Sequence, residues 1–245
     1  MLPVLELRNV SRQFGGLRAV KSVSLEMNEG EILFIIGPNG AGKTTVFNLI
    51  SGFLHPNEGS ILFNGKEIST LPPHAAARLG IGRTFQIVKP LRNLTVVQNV
   101  MLGAFMHTGN VNKAHEEAAK ILDFLQMSHL SDFPAHGLPL AALKRLEIAR
   151  ALATKPKLIL LDEVVSGLTP SEALALAGLV KRLPEWGVSV VGGVEHVMQV
   201  VMKIADRIVV LDYGAKIAEG KPADVVVLPA VIEAYLGAKY KELPK

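Results

Sequence analysis

Residues 32–45 read Ile-Leu-Phe-Ile-Ile-Gly-Pro-Asn-Gly-Ala-Gly-Lys-Thr-Thr, an apolar run driven straight into a glycine-rich turn. The turn, residues 37–45, fits the pattern G-x-x-x-x-G-K-[ST] of a phosphate-binding loop. A buried strand, Ile32–Ile36, delivers the chain into it, and Thr45–Ser51 is compatible with a helix that begins at once. That order puts backbone amides and the positive end of a helix dipole against an anion. Gly37, Gly40 and Gly42, with Pro38, Asn39 and Ala41 between them, let the backbone close around phosphates without Cβ clashes. Lys43 is placed to reach the β- and γ-phosphates, Thr44 to ligate Mg²⁺ through its hydroxyl, and Thr45 to complete the loop.

The whole chain has 245 residues, 49% of them hydrophobic, enough for one large domain with its own core. No apolar stretch reaches the roughly 18 to 20 residues of a membrane-spanning helix. Met1–Val10 lacks the form of a secretory signal, because Glu6 and Arg8 fall where an apolar region should run. The absence of cysteine excludes disulfides and thiolate metal sites. A net charge of +4 is spread along the chain without a basic block, so nucleic acid is not the expected partner. An apolar surplus without a membrane span points instead to docking on another protein.

Outward from the loop, the pattern alternates. Val4–Val10 and Val20–Leu25 read as half-buried strands, and Ile61–Phe63 with Asn64-Gly65 reads as a hairpin arm and its tip. From about Leu94 to Leu152 the spacing turns helical, with Val111–Met127 the longest amphipathic segment. Strands return at Leu158–Leu161, Val188–Val191 and Ile208–Leu211, with a helix over Ser171–Leu183. The expectation is an α/β fold: a phosphate-loop core with a parallel sheet, an N-terminal antiparallel β subdomain and a helical insert. Residues 1–245 form a single domain in this reading, with the helical subdomain at about 88–153 and a short helical tail at about 222–245.

Further candidates fall where strands end. Asp162 closes the run Leu158–Leu161 and suits the outer Mg²⁺ ligand that a phosphate loop requires; Glu163, one residue later, is placed to polarise an attacking water. Two acids in an ordinary strand-to-helix turn is the plainer alternative, and the phosphate loop argues against it. His196 follows Val188–Val191 and a Gly192-Gly193 turn, at the carboxyl edge of the sheet where loops converge on ligands. Gln86, after Ile81–Phe85, stands where the helical insert begins, and an amide there suits Mg²⁺ or water. Phe14, before Gly15-Gly16, is either a ring for stacking on adenine or a core residue.

Taken in order, Phe14, Gly37–Thr45, Gln86, Lys144–Leu152, Asp162-Glu163 and His196 make the chain resemble the ATP-binding subunit of an ABC transporter. Within that family it is similar to the importers of branched-chain amino acids, on Phe14–Leu17, Phe47–Gly52, Gly82–Gln86, Leu146–Leu152 and Val231–Gly237. The resemblance implies ATP and Mg²⁺ as cofactors. Phe14 and Gly37–Thr45 would bind nucleotide, Thr44, Gln86 and Asp162 the metal, and Glu163 and His196 would be catalytic. It implies a second ATPase subunit, in a heterodimer or a homodimer, and two transmembrane permease subunits, one of whose helices docks near Gln86–Asn99. A solute-binding protein takes part indirectly. The place implied is the cytoplasmic face of the inner membrane. A urea- or amide-type importer and a non-transport ABC ATPase are the alternatives.

The resemblance breaks chiefly at one motif, with two smaller departures beside it. Where the family has Leu-Ser-Gly-Gly-Gln, or Tyr at the third place, this chain has Leu138-Pro139-Leu140-Ala141-Ala142-Leu143. The serine that bonds a partner's γ-phosphate is Pro139, and the glycine of close approach is Ala141. Val164 replaces the usual proline after the acidic pair, and Thr169 replaces an aspartate or asparagine. An asymmetric heterodimer is the expected consequence.

Overall fold

The computed structural model describes residues 3–85, 89–193 and 198–236. The two N-terminal strands form one long hairpin, β1 (Leu5–Phe14) and β2 (Leu17–Met27), turning at Gly15-Gly16. Their apolar positions pair across it, Leu5 opposite Met27 and Leu7 opposite Leu25. After β3 (Ile32–Ile36) and α1 (Lys43–Ile50), β4 (Glu58–Phe63) pairs with the free edge of β1, and β5 (Lys66–Glu67) closes a hairpin through Asn64-Gly65. Both turn residues have positive φ, as a tight two-residue turn demands. The resulting antiparallel sheet runs β2-β1-β4-β5.

A second sheet holds the phosphate-loop strand at its centre. Its order is β10-β9-β3-β8-β7-β6, from β6 (Ile81–Arg83), β7 (Leu158–Asp162), β8 (Ser189–Gly193), β9 (Arg207–Asp212) and β10 (Ala215–Gly220). All pairings are parallel except that of the edge strand β10. The strands are continuously apolar because both faces are covered. Alternate residues sort accordingly: Phe34, Leu161 and Val210 enter the core under the helices, while Leu33, Leu160 and Val209 enter the core shared with α1 and the antiparallel sheet.

The other helices are α2 (Pro73–Leu79), α3 (Val96–Ala104), α4 (Val111–Phe124), α5 (Leu140–Leu152), α6 (Pro170–Val180), α7 (Met198–Ile204), α8 (Pro222–Val225) and α9 (Pro229–Leu236). The region expected to be helical holds α3, α4 and α5. Thr95 and Gln98 form a capping box on α3, as do Thr169 and Glu172 on α6. Between α6 and β8 a short 3₁₀ turn carries Trp186, whose ring lies 4.5 Å from that of Phe124 at the end of α4. Some elements were not expected, β10, α2 and α7 among them. β10 is a mixed-polarity edge strand, and α2 begins in the Pro72-Pro73 pair that reads as a loop. Gly192 and Gly193, expected as a turn, lie inside β8, where Cβ atoms would meet the rings of Phe34 at 2.4 Å and Phe47 at 3.1 Å. They are small because aromatic rings lie against the strand.

Candidate nucleotide site and the groove beside it

From Ile36 the chain passes through residues 37–42 into α1, whose N-cap is Gly42 with φ +101°. The loop is wedged between other backbones. A Cβ on Gly37 would stand 2.0 Å from the carbonyl oxygen of Leu211, and one on Gly42 would stand 2.5 Å from that of Ala19. Both approaches exclude any side chain. The Ala41 amide donates to Pro38 O at 3.1 Å, and Ala41 O accepts from Gly214 at 3.0 Å, so the loop is fastened to the β9–β10 turn. Lys43 is buried, and its Nζ donates to Gly37 O at 2.7 Å and Pro38 O at 2.9 Å. The ammonium thus lies folded within the loop it belongs to. Asn39, Gly40 and Thr44 are exposed.

Asp162 ends β7, two strands from β3 with β8 between them. It is buried, and its Oδ2 accepts from Arg83 Nη2 at 3.2 Å. Glu163 follows in the left-handed region, φ +48°, a conformation that costs a non-glycine residue about 1 kcal/mol. Three bonds hold it there: its amide donates to Gly193 O at 3.0 Å, and its carbonyl accepts from Ser166 N at 3.1 Å and from Lys144 Nζ at 3.1 Å. Thr44 and Asp162 open on the same cavity, about 540 Å³ in volume, whose wall also carries Arg83, Lys89, Glu147 and Arg150. A hydroxyl and a carboxylate facing one cavity form a hard oxygen donor set, which fits Mg²⁺ completed by phosphate oxygens.

On the buried face of α5, Glu147 lines this wall, and Lys144, one turn earlier, donates to the Glu163 carbonyl behind it. Burial pushes the Lys144 ammonium below the usual lysine range, against the pull of Glu147, Glu163 and Asp162. Burial pushes the Glu147 carboxyl up, against Lys144, Arg150 and a hydrogen bond from the Phe85 backbone. Neither residue was a candidate from the sequence. Charges at i and i+3 on an otherwise apolar helix face were the available signal.

Phe14 sits at the tip of the β1–β2 hairpin, 42% exposed, with the Arg12 guanidinium 4.8 Å from its ring centre. It is therefore a surface ring, on the hairpin whose Ala19 supports Gly42. Gln86 and His196 lie outside the described residues. Pro139 is the N-cap of α5 and makes no side-chain cap; Pro139 and Leu140 are exposed.

Beside the nucleotide cavity lies a groove of about 480 Å³, bounded by α2, α3 and β6 and by the exposed Phe53, Phe85, Leu102 and Met106. Asn99, at the edge of the expected docking region, is fully buried and spends its amide on the carbonyls of Leu91 and Thr95.

A parallel sheet that feeds a glycine loop into a helix, with an acidic pair two strands away, defines a phosphate-loop nucleotide-binding protein. Known proteins narrow this further. Residues 20–166 match the family described as "ABC transporter", and residues 215–241 match the "Branched-chain amino acid ATP-binding cassette transporter" family. The chain belongs to the ABC transporter family of ATP-binding cassettes. It is 40% identical, over 99% of its own length and 98% of the other's, to the probable branched-chain amino acid transport ATP-binding protein LivG of Archaeoglobus fulgidus. It is 38% identical to the high-affinity branched-chain amino acid transport ATP-binding protein LivG of Escherichia coli, over 96% and 98% of the two chains. A nucleotide-free ATP-binding cassette from an ABC transporter superposes with a TM-score of 0.87 at 34% identity, over 96% of this chain and 100% of that one. A dimeric, post-hydrolysis cassette bound to ADP and Pi superposes with a TM-score of 0.79 at 27% identity, over 89% and 98%.

Proposed function

We propose that this chain is the ATP-hydrolysing subunit of an importer of branched-chain amino acids, peripheral on the cytoplasmic face of the inner membrane. One observation carries the chemistry: Thr44 and Asp162 line one cavity next to a loop that holds a lysine ready-folded. The match of residues 215–241 and the names of the relatives support the substrate class. No helix among the described residues is long and apolar enough to cross a membrane, so two permease subunits would supply the path. The groove at Phe53, Leu102 and Met106 offers them an apolar seat, and a solute-binding protein would act through them.

In this reading the loop amides and Lys43 hold the phosphates, Lys43 exchanging its two carbonyl partners for phosphate oxygens. Thr44, Asp162 and Gln86 hold Mg²⁺, which when bound supplies charge neutralisation at the phosphates. Glu163 orients the attacking water, His196 meets the γ-phosphate, and Phe14 stacks on adenine. The divergent start of α5 argues for a heterodimer. This chain's own phosphate loop is completed by a second ATPase with an intact signature, while Pro139 and Ala141 offer that partner a poorer surface.

The test is Glu163→Gln in the assembled transporter, read as ATP binding, ATP hydrolysis and leucine uptake. Binding persists, while hydrolysis and uptake fall by about 10² or more. An unchanged hydrolysis rate overturns the assignment, and so does robust hydrolysis by a pure homodimer of this chain.

A further inference from the structure

Arg83 stands in the wall between the nucleotide cavity and the groove and lines both. Its side chain is 9% exposed, at the end of a parallel strand where a charge is out of place. Nη1 donates to Asn48 Oδ1 and to Ser51 Oγ, each at 2.7 Å, which ties it to α1 and the residue after it. Nη2 reaches Asp162 Oδ2 at 3.2 Å. The guanidinium carbon lies 5.4 Å from the ring centres of both Phe53 and Phe85, and these rings meet edge to face at 5.9 Å. Nε is buried without a hydrogen bond among the described residues.

A planar fork is the one side chain that satisfies three acceptors in fixed directions while two aromatic rings pack around it. Burial pulls the group below the usual arginine range, partly offset by Asp162, so the fold keeps this cation at a cost in desolvation. Its contacts join three things: the helix that leaves the phosphate loop, the carboxylate at the end of β7, and the aromatic wall of the groove.

We propose that Arg83 is a positioning residue that fixes the Asp162 carboxylate toward the metal position and ties it mechanically to Phe53 and Phe85. A permease subunit seated in the groove would bear on those rings, which Arg83 joins to Asp162. The inference rests on the reading that Asp162 and Thr44 hold Mg²⁺, and deepens it by connecting that site to the docking surface.

The experiment uses the full chain and a fluorescent ATP analogue, with binding followed as Mg²⁺ is titrated and again in EDTA. Folding of each variant is checked by its melting temperature. Arg83→Met raises the Mg²⁺ midpoint about tenfold or more, the usual effect of losing the group that orients a metal ligand. Affinity in EDTA stays at the wild-type level. Arg83→Lys keeps the charge but not the fork, and does not restore the midpoint. Phe53→Ala, at a half-exposed ring, moves the midpoint the same way by about threefold. The inference is overturned if Arg83→Lys behaves as wild type, if Phe53→Ala leaves the midpoint unchanged, or if affinity falls equally with and without Mg²⁺. A wild-type chain whose binding ignores Mg²⁺ overturns instead the metal reading of Thr44 and Asp162.

Discussion

Gly42 and Gly40 share a left-handed backbone, yet the structure needs them for different reasons. Gly42, φ +101°, would drive a Cβ to 2.5 Å from Ala19 O, whereas Gly40, φ +79°, has nothing within 4 Å. Gly40→Ala should therefore cost only the backbone penalty, about 1 kcal/mol. Gly42→Ala must also push the hairpin away from the loop, and should melt several degrees lower and bind an ATP analogue more than about tenfold more weakly. Thermal melts and a binding titration on the two variants check the difference. Glu147 gives a second expectation at this scale. Its folded pKa is raised, so between about pH 4.5 and that raised value the folded state holds more protons than the unfolded one. Stability drawn from protonated Glu147 is complete below the unfolded value and lost as pH rises through the folded one. Glu147→Gln keeps a neutral side chain throughout, so wild-type melting temperature should fall relative to the variant as pH rises from 4.5 to 7. The loop residues 37–45 and the acids Asp162 and Glu163 were legible because their spacing and position in the chain suffice. Lys144, Glu147 and Arg83 were not, because their meaning lies in contacts: Arg83 and Asp162 are 79 positions apart and meet only once β6 lies along β7.

At the level of elements, α5 and α6 begin in opposite ways. On α6, Thr169 and Glu172 bond reciprocally and Pro170 sits in the first turn; on α5, Pro139 offers no side-chain acceptor. Thr169 thus departs from the family's aspartate or asparagine while still capping its helix. Thr169→Ala should cost about 1 kcal/mol and lower the melting temperature by about 2–4 °C. A smaller effect means that the box is open in solution. The buried strands were readable because coverage on both faces leaves a continuous apolar run. Helix ends were less so: the helix expected over Ser171–Leu183 stops at Val180 and gives way to the 3₁₀ turn Leu183–Trp186. In β8 the glycines mimic a turn in sequence, since the rings of Phe34 and Phe47 that require them come from other elements.

For the molecule as a whole, the phosphate loop and the start of α5 are two half-surfaces that serve different nucleotides in the proposed dimer. Pro139→Ser with Ala141→Gly would give α5 back a capping hydroxyl and a close backbone approach. The assembled transporter should then hydrolyse ATP up to about twofold faster at saturation, as a second site approaches the first, with this chain's own site unaltered. Steady-state ATPase rates in the Glu163→Gln background isolate the repaired site. No gain there means that Pro139 and Ala141 do not limit it.

The pairing of Trp186 with Phe124 has a practical consequence. The chain has one tryptophan, and it lies where the end of α4 meets the turn leading into β8. The Arg182 guanidinium, 5.1 Å from the Phe124 ring centre, completes the packing on that joint. A shift of the helical layer against the sheet alters the surroundings of a single indole. The protein therefore carries its own optical gauge of that motion, readable from intrinsic emission with no dye attached.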